Sequence, residues 1–216
     1  MNNIIKKILI EDKEYPQILR EIHKPPKAIY AVGDISILNM EAIAIIGSRD
    51  CTLYGKEATK YFAYNLAKEG IAIISGLARG IDAEAHIGCL GAGGKTIAVL
   101  GSGLDNIYPK ENIELCRKII EKGGCIISEY PVGTKIERWN FVERNRIISG
   151  MSKGVLVVEA KEKSGTLNTV DFALEQGRDV YVVPGNINSE NSVGTNHLIK
   201  QGAKIVVNYR DILQEK

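Results

Sequence analysis

Arginines interleaved with aromatic rings can track a phosphate backbone and stack on bases at the same time. Residues 138–146 have that make-up: Arg138-Trp139-Asn140-Phe141-Val142-Glu143-Arg144-Asn145-Arg146 sets three arginines against one glutamate, with the only Trp and one of the three Phe in the chain. On a helix, Phe141 and Asn145 share a face with Arg138 a turn earlier, so one surface would present ring and charge together. The plain alternative is a solvated basic helix whose aromatic residues reach the core. A second source of anion chemistry is Gly47-Ser48-Arg49, which follows the apolar run Ala42-Ile43-Ala44-Ile45-Ile46. There glycine allows close backbone approach, amides and a hydroxyl donate, and arginine grips phosphate bidentately. Taken alone, this triplet is also an ordinary tight turn with a solvated arginine.

The segment Ser75-Gly76-Leu77-Ala78-Arg79-Gly80-Ile81-Asp82 repeats that chemistry, with Gly76 and Gly80 flanking Arg79. Asp82 is placed either to cap the helix that follows or to orient an arginine. Two nucleotide signatures fail on inspection. Gly93-Gly94-Lys95-Thr96 lacks the earlier glycine of a P-loop, since Cys89 stands there, and Thr96 opens a strand. Gly101-Ser102-Gly103 has Asn106 where a dinucleotide fingerprint needs its third glycine. His23, His86 and His197 are scattered, and no carboxylate pair, nucleophile with a base, or metal-spaced His/Cys cluster stands out. The expectation is therefore no catalytic residue, no metal and no cofactor.

These loops need a scaffold that brings them to one edge. Seven apolar, β-branched runs recur with starts about 25 to 30 residues apart: residues 42–46, 71–75, 96–100, 125–129, 155–159, 180–184 and 204–207. Each interval fits one buried strand, one helix and two short loops, and runs apolar on both faces belong in a parallel sheet covered by helices. Ala58, Phe62, Leu66 and Ala67 fall on one helical face before Gly70, as do Leu167, Val170, Ala173 and Leu174 before Gly177. The fold expected is α/β: an extended Rossmann-like, doubly wound, mostly parallel sheet of about seven or more strands. Ligands of such sheets bind beyond the carboxyl ends of the strands, where the glycine-rich loops lie. Residues 1–40, punctuated by Pro16, Pro25 and Pro26, read as a short lead-in of helix plus extended linker, and residues 41–216 as the Rossmann-like domain.

Composition narrows the class. Hydrophobic residues make up 44% and charged residues 25% of 216, ordinary globular values that exclude a disordered or collagen-like chain. With 28 Lys and Arg against 26 Asp and Glu, polyanion binding must come from local clustering. Four cysteines without a C-x-x-C pair read as reduced thiols. The charged residues Glu11 to Glu14 follow only a short apolar run, so neither a signal peptide nor a membrane span is expected and the cytoplasm is the default.

Taken together, GSR at 47–49, SGLARGID at 75–82, GGKTIAVLGSGLDNIYP at 93–109, SEYPVG at 128–133, FVERNRIISGMS at 141–152, VVEA at 157–160, SGTLNT at 164–169, VPGN at 183–186 and NHLIKQGA at 196–203 resemble the DprA/Smf DNA-processing family over residues 15–207. The resemblance implies a non-catalytic cytoplasmic protein that binds single-stranded DNA, protects incoming strands in natural transformation and helps load a RecA-type recombinase. By position, Arg49 would hold a phosphate, Arg138 would contact the backbone and Phe141 would pack near a base. Gly47, Ser48, Gly76, Arg79 and Gly80 would line the same pocket, with Lys110 a further phosphate contact. Arg144, Asn145 and Arg146 join this set, against the competing expectation that they bond strand-end carbonyls and acidic groups. Family members self-associate through the carboxyl-terminal part of the core, which makes Leu198 and Ile199 dimer-face candidates, with intramolecular packing as their other reading. The chain resembles the minimal core, without added amino-terminal helical or carboxyl-terminal winged-helix domains.

The competing class is a nucleotide-binding phosphoribohydrolase or nucleotide sensor on a similar fold. Its PGG-x-GT-x-x-E signature fails here, because Gly165-Thr166 and Gly194-Thr195 are followed by Thr169 and Leu198 where the glutamate belongs.

Overall fold

The computed structural model describes residues 4–213. The chain runs β1 (Lys6–Leu9), α1 (Gln17–Arg20), β2 (Ala28–Gly33), β3 (Ala42–Ile46), α2 (Leu53–Lys68), β4 (Ala72–Ser75), α3 (Ile81–Gly91), β5 (Thr96–Leu100), α4 (Ile113–Glu121), β6 (Cys125–Ser128), α5 (Arg138–Gly150), β7 (Gly154–Val157), α6 (Thr166–Glu175), β8 (Asp179–Val182), α7 (Val193–Lys200), β9 (Lys204–Ile205) and α8 (Arg210–Leu213). All seven strands expected from the apolar runs are present, each within one or two residues at its start.

With β1 and β2 they form one nine-stranded sheet in the order β1-β2-β6-β5-β4-β3-β7-β8-β9. From β6 to β9 every pairing is parallel. The chain winds outward from β3 through β4, β5 and β6, then crosses back to place β7 on the other side of β3. The topological switch point therefore lies between β3 and β7, whose register pairs Ile46 with Val157.

Strand alternation explains the layers. Ala42, Ala44 and Ile46 face a core shared with Ile147, Ile148, Val170, Ala173 and Leu198, which places α5, α6 and α7 on that side. Ile43 and Ile45 face Phe62, Leu66, Ile81 and Ala85, so α2 and α3 cover the other, where α4 follows with Leu115 and Ile119. All five residues of β3 are buried, as expected for a strand covered on both faces, where each Ile contributes roughly 1.5–3 kcal/mol. Thr52 caps α2 by accepting from the Gly55 N–H at 3.1 Å. Past α2 and α6 the chain reverses at Gly70 (φ +80°) and Gly177 (φ +65°), the two glycines that the helical patterns pointed to.

The first 40 residues hold more structure than a helix and a linker. The short helix α1 is there, but β1 and β2 extend the sheet, β2 pairing antiparallel with β6 through Tyr30 opposite Ser128 and Gly33 opposite Cys125. The alternation in Ala28–Gly33 is only six residues long and follows two prolines, so its pairing partner, nearly 100 positions away, is what makes it a strand.

Leu198 is corrected as a dimer-face candidate: it is buried within its own chain, in the core beneath α7, and Ile199 packs half-buried against that core. Among the described residues no helix is long and apolar enough to cross a membrane, and no group of His, Cys, Asp and Glu is arranged to hold a metal ion.

His86 is wholly buried on α3. Its Nδ1 lies 2.7 Å from Thr96 Oγ1, whose own proton goes to Ile73 O at 2.7 Å. Nδ1–H is thus the donor, and Nε2 is a buried lone pair without a partner among the described residues. Burial, and next the positive charge of Arg144, push its pKa from 6.5 down to about 3. The unfolded chain takes up this proton more readily than the folded one. Stability held by neutral His86 is complete above pH 6.5 and is lost as pH falls toward 3. In urea titrations between pH 7 and 4, the wild-type protein should lose stability more steeply than His86→Gln, with an added slope approaching ~1.4 kcal/mol per pH unit. Parallel curves would show that His86 does not titrate this way.

Candidate nucleic-acid interface

The loop leaving β3 is fixed at almost every residue. Ser48 N–H donates to Glu159 O (2.8 Å), and Asp50 N–H donates to Ser48 Oγ (3.2 Å). Asp50 O accepts from Asn191 Nδ2 (2.9 Å). Thr52 closes the loop by donating through its N–H (2.9 Å) and hydroxyl (2.5 Å) to the two oxygens of the Glu159 carboxylate. Glu159 lies just past β7, so the two strands flanking the switch point are clasped there. Arg49 alone in the triplet is exposed, and its side chain lines the crevice.

The loop after β4 backs the first one. Ile81 N–H donates to Ser48 O at 3.2 Å. Gly80 sits at φ +70°, and a Cβ there would run into the carbonyl oxygens of Ser48 and Arg49. Gly80 is therefore needed for close approach as well as for its backbone angle. Gly76 packs where a Cβ would meet Arg144 Nη2 and Asp82 Oδ2, each at 2.7 Å.

Helix α5 forms the opposite wall and divides the arginines sharply. Arg138 is exposed and lines the crevice, and Phe141 lines it with its ring packed on Gly101. Arg144 is buried, and its Nη1 donates to Gly76 O at 2.7 Å and also to Val99 O. Nε donates to Asn145 Oδ1 at 3.3 Å. Burial lowers the Arg144 pKa to about 10, against the counter-pull of Asp82. Asp82 is equally buried, and desolvation raises its pKa, opposed by Arg144 and by the N–H groups of Ala78 (3.4 Å) and Gly76 (3.1 Å) that donate to Oδ2. Arg146 makes a bidentate pair with Glu129 at 2.5 and 2.9 Å, linking α5 to the end of β6. Of the two expectations for this stretch, Arg144 and Arg146 follow the structural one: carbonyls and a carboxylate take their donors. Asn145 faces the crevice while bonded to Arg144.

Gly47, Ser48, Arg49, Arg138, Phe141, Arg144 and Asn145 thus meet around one open crevice of about 670 Å³. Gly76 and Gly80 stand behind its wall. Arg79 turns away to pair with Glu111 at 2.8 Å, and Lys110 is exposed in the neighbouring 3₁₀ turn, outside the lining. The sequence reading missed Lys161, Lys163 and Tyr108, which do line the crevice. The lysines follow β7 directly, so the signal available was the loop opposite Gly47-Ser48-Arg49 across the switch point. Lys161 pairs with Glu190 at 2.9 Å, both partly exposed. Arg49, Arg138, Lys161 and Lys163 outnumber the acids Asp50 and Glu190, the latter paired with Lys161, so cations are in excess at the crevice although the chain carries only +2.

A family model described as DNA recombination-mediator protein A matches residues 6–216. DNA processing protein DprA of Bacillus subtilis is 43% identical over 98% of this chain and 71% of its own length. The X-ray structure of DNA processing protein A from Streptococcus pneumoniae superposes with a TM-score of 0.92 at 42% identity, covering 98% of this chain and 74% of that one. A structure of the Helicobacter pylori protein, described by its single-stranded DNA binding mode, gives 0.88 at 32% identity over 99% and 95%. The chain spans between 49% and 72% of the curated relatives it matches.

Gly80→Ala should destabilise the protein by roughly 1–3 kcal/mol, through a strained backbone angle and the clash with the Arg49 loop. Gly93→Ala is the control, because Gly93 has nearly the same φ of +71° but open space around it. Equal losses in chemical denaturation would mean that contact with the Arg49 loop contributes nothing.

Proposed function

Because the chain belongs to the DNA recombination-mediator protein A family, we propose that it binds single-stranded DNA in the crevice at the β3–β7 switch point and acts without bond chemistry of its own. In this reading it shields strands taken up in natural transformation and hands them to a RecA-type recombinase, working in the cytoplasm as a homodimer. The observation that carries the reading is the convergence of Arg49, Arg138 and Lys163 with the Phe141 ring on one open crevice. Exposed cations track a continuous backbone while a ring meets a base, and an open groove lets a polymer enter and leave at both ends.

The residues divide by task. Arg49 projects from a loop held by Glu159 and Gly80, so its backbone is set before a strand arrives and less conformational freedom is lost on binding. Arg138 and Lys163, on the first turn of α5 and in the loop after β7, face it as flexible charges. Phe141 is held by Gly101 beneath it, by the edge of Tyr108, and by Arg144, whose guanidinium carbon lies 5.7 Å from the ring centroid. The similarity to relatives named for DNA processing, one of them described by its strand-binding mode, supports the same assignment.

Fluorescence anisotropy with labelled oligo-dT across a salt series tests this. Arg49→Ala should weaken binding by about 1.5–3 kcal/mol, the worth of a hydrogen bond to a charged group. It should also lower the slope of log K against log salt by about 0.7, the single-strand increment per phosphate contact. Duplex and AMP should compete poorly. Unchanged affinity and slope in Arg49→Ala would remove the crevice from the interface, and competition by AMP with release of free base would move the function to nucleotide chemistry.

A further inference from the structure

Beyond the phosphate side, the crevice has a wall built from two interlocked loops that the cations do not explain. The loop after β5, residues 101–109, and the loop after β6, residues 129–137, are tied through Asp105. Gly133 N–H donates to its two carboxylate oxygens at 3.0 and 3.1 Å. Gly103 N–H donates to Thr134 O (3.3 Å), and Asn106 Nδ2 reaches the same oxygen at 3.5 Å. Ser128 Oγ adds a bond to Ser102 O at 2.7 Å. This latch holds up an aromatic corner. Tyr108 and Phe141 have ring centroids 5.6 Å apart with planes at 65°. Tyr108 is 41% exposed and Ile136 40% exposed, and both line the crevice beside Phe141.

In the crevice that these two rings line, one flat, unstacked ring can lie on one face with its edge toward the other. Large apolar side chains left exposed beside a positive groove would be poorly placed for contacts with phosphate alone. We propose that Tyr108, held by the Asp105 latch, forms a nucleobase subsite on the β5–β6 side of the crevice. It takes one base of any identity, while the sugar-phosphate backbone runs along the Arg49 and Lys163 side. The inference rests on the strand-binding reading above and adds a direction to it: bases toward β5 and β6, phosphates toward the switch point.

The test compares oligo-dT with a strand of equal length and charge whose bases are replaced by abasic spacers. Wild-type protein should bind the abasic strand roughly 5- to 150-fold more weakly, the range for one stacked base. Tyr108→Leu should bind oligo-dT more weakly and lose most of that discrimination, whereas Tyr108→Phe should keep it. Asp105→Asn should reduce discrimination while leaving the salt slope intact, because no phosphate contact is lost, and a melting curve on each variant confirms folding. Equal wild-type binding of both strands, with a steep salt slope, would overturn the subsite and leave strand binding standing. Undiminished discrimination in folded Tyr108→Leu would overturn the assignment to Tyr108. Failure to bind either strand would overturn both readings.

Discussion

Arg144 carries its charge inside the protein, and much of the crevice hangs on how that charge is accommodated. Its guanidinium donates to Gly76 O, just past β4, and to Val99 O, near the end of β5. Asp82 lies beside it at Gly76, anchored by two backbone N–H groups. Burying one charge alone would be prohibitive, and removing either partner of such a pair leaves the other uncompensated at a cost of roughly 3–5 kcal/mol. The arrangement is stable because carbonyls, N–H groups and the opposite charge together replace the water that both groups gave up. Gly76 is a glycine for the same reason: a side chain there would occupy the space of the two charged groups.

From that centre the constraint spreads to the binding residues. The loop from Gly76 to Gly80 is set by Asp82 and Arg144, and Gly80 in turn fits against the carbonyls of Ser48 and Arg49. Glu159 holds the far end of the Arg49 loop through Thr52. Arg49 is consequently one mobile side chain on an immobile base, an economical way to present a phosphate ligand. Arg144 also lies over Phe141, so the group that anchors the phosphate loop also backs the aromatic wall. Preorganisation on both sides limits the entropy lost when a strand binds.

The charge distribution follows from the winding of the sheet. A chain of +2 has no general attraction for nucleic acid, and Lys and Arg elsewhere are often paired, as Lys60 with Glu84 and Lys153 with Glu41. At the switch point two adjacent loops diverge in opposite directions and leave a gap that no helix covers. Cations from the β3 loop, the β7 loop and the start of α5 enter that gap in excess of the acids Asp50 and Glu190, so a local positive field arises on a chain of small net charge.

Much of this was legible in the residues alone. The seven apolar runs, the glycines that end α2 and α6, and the anion chemistry of Gly47-Ser48-Arg49 depend on local spacing and backbone angle, which a sequence displays directly. What tertiary structure decided depends on partners far away in the chain. Ala28–Gly33 became a strand through β6. Leu198 went inward because the α5–α6 core reaches it. Arg138 and Arg144, six residues apart in one basic helix, were separated into a solvent-facing ligand and a buried strut by the acceptors each met. Lys161, Lys163 and Tyr108 joined the crevice only when the switch point brought the loops after β7 and β5 beside Arg49 and Phe141. Periodicity tells which face of a helix is apolar; it does not tell which carbonyls will lie beneath one guanidinium, because those belong to strands that meet it only in the folded sheet.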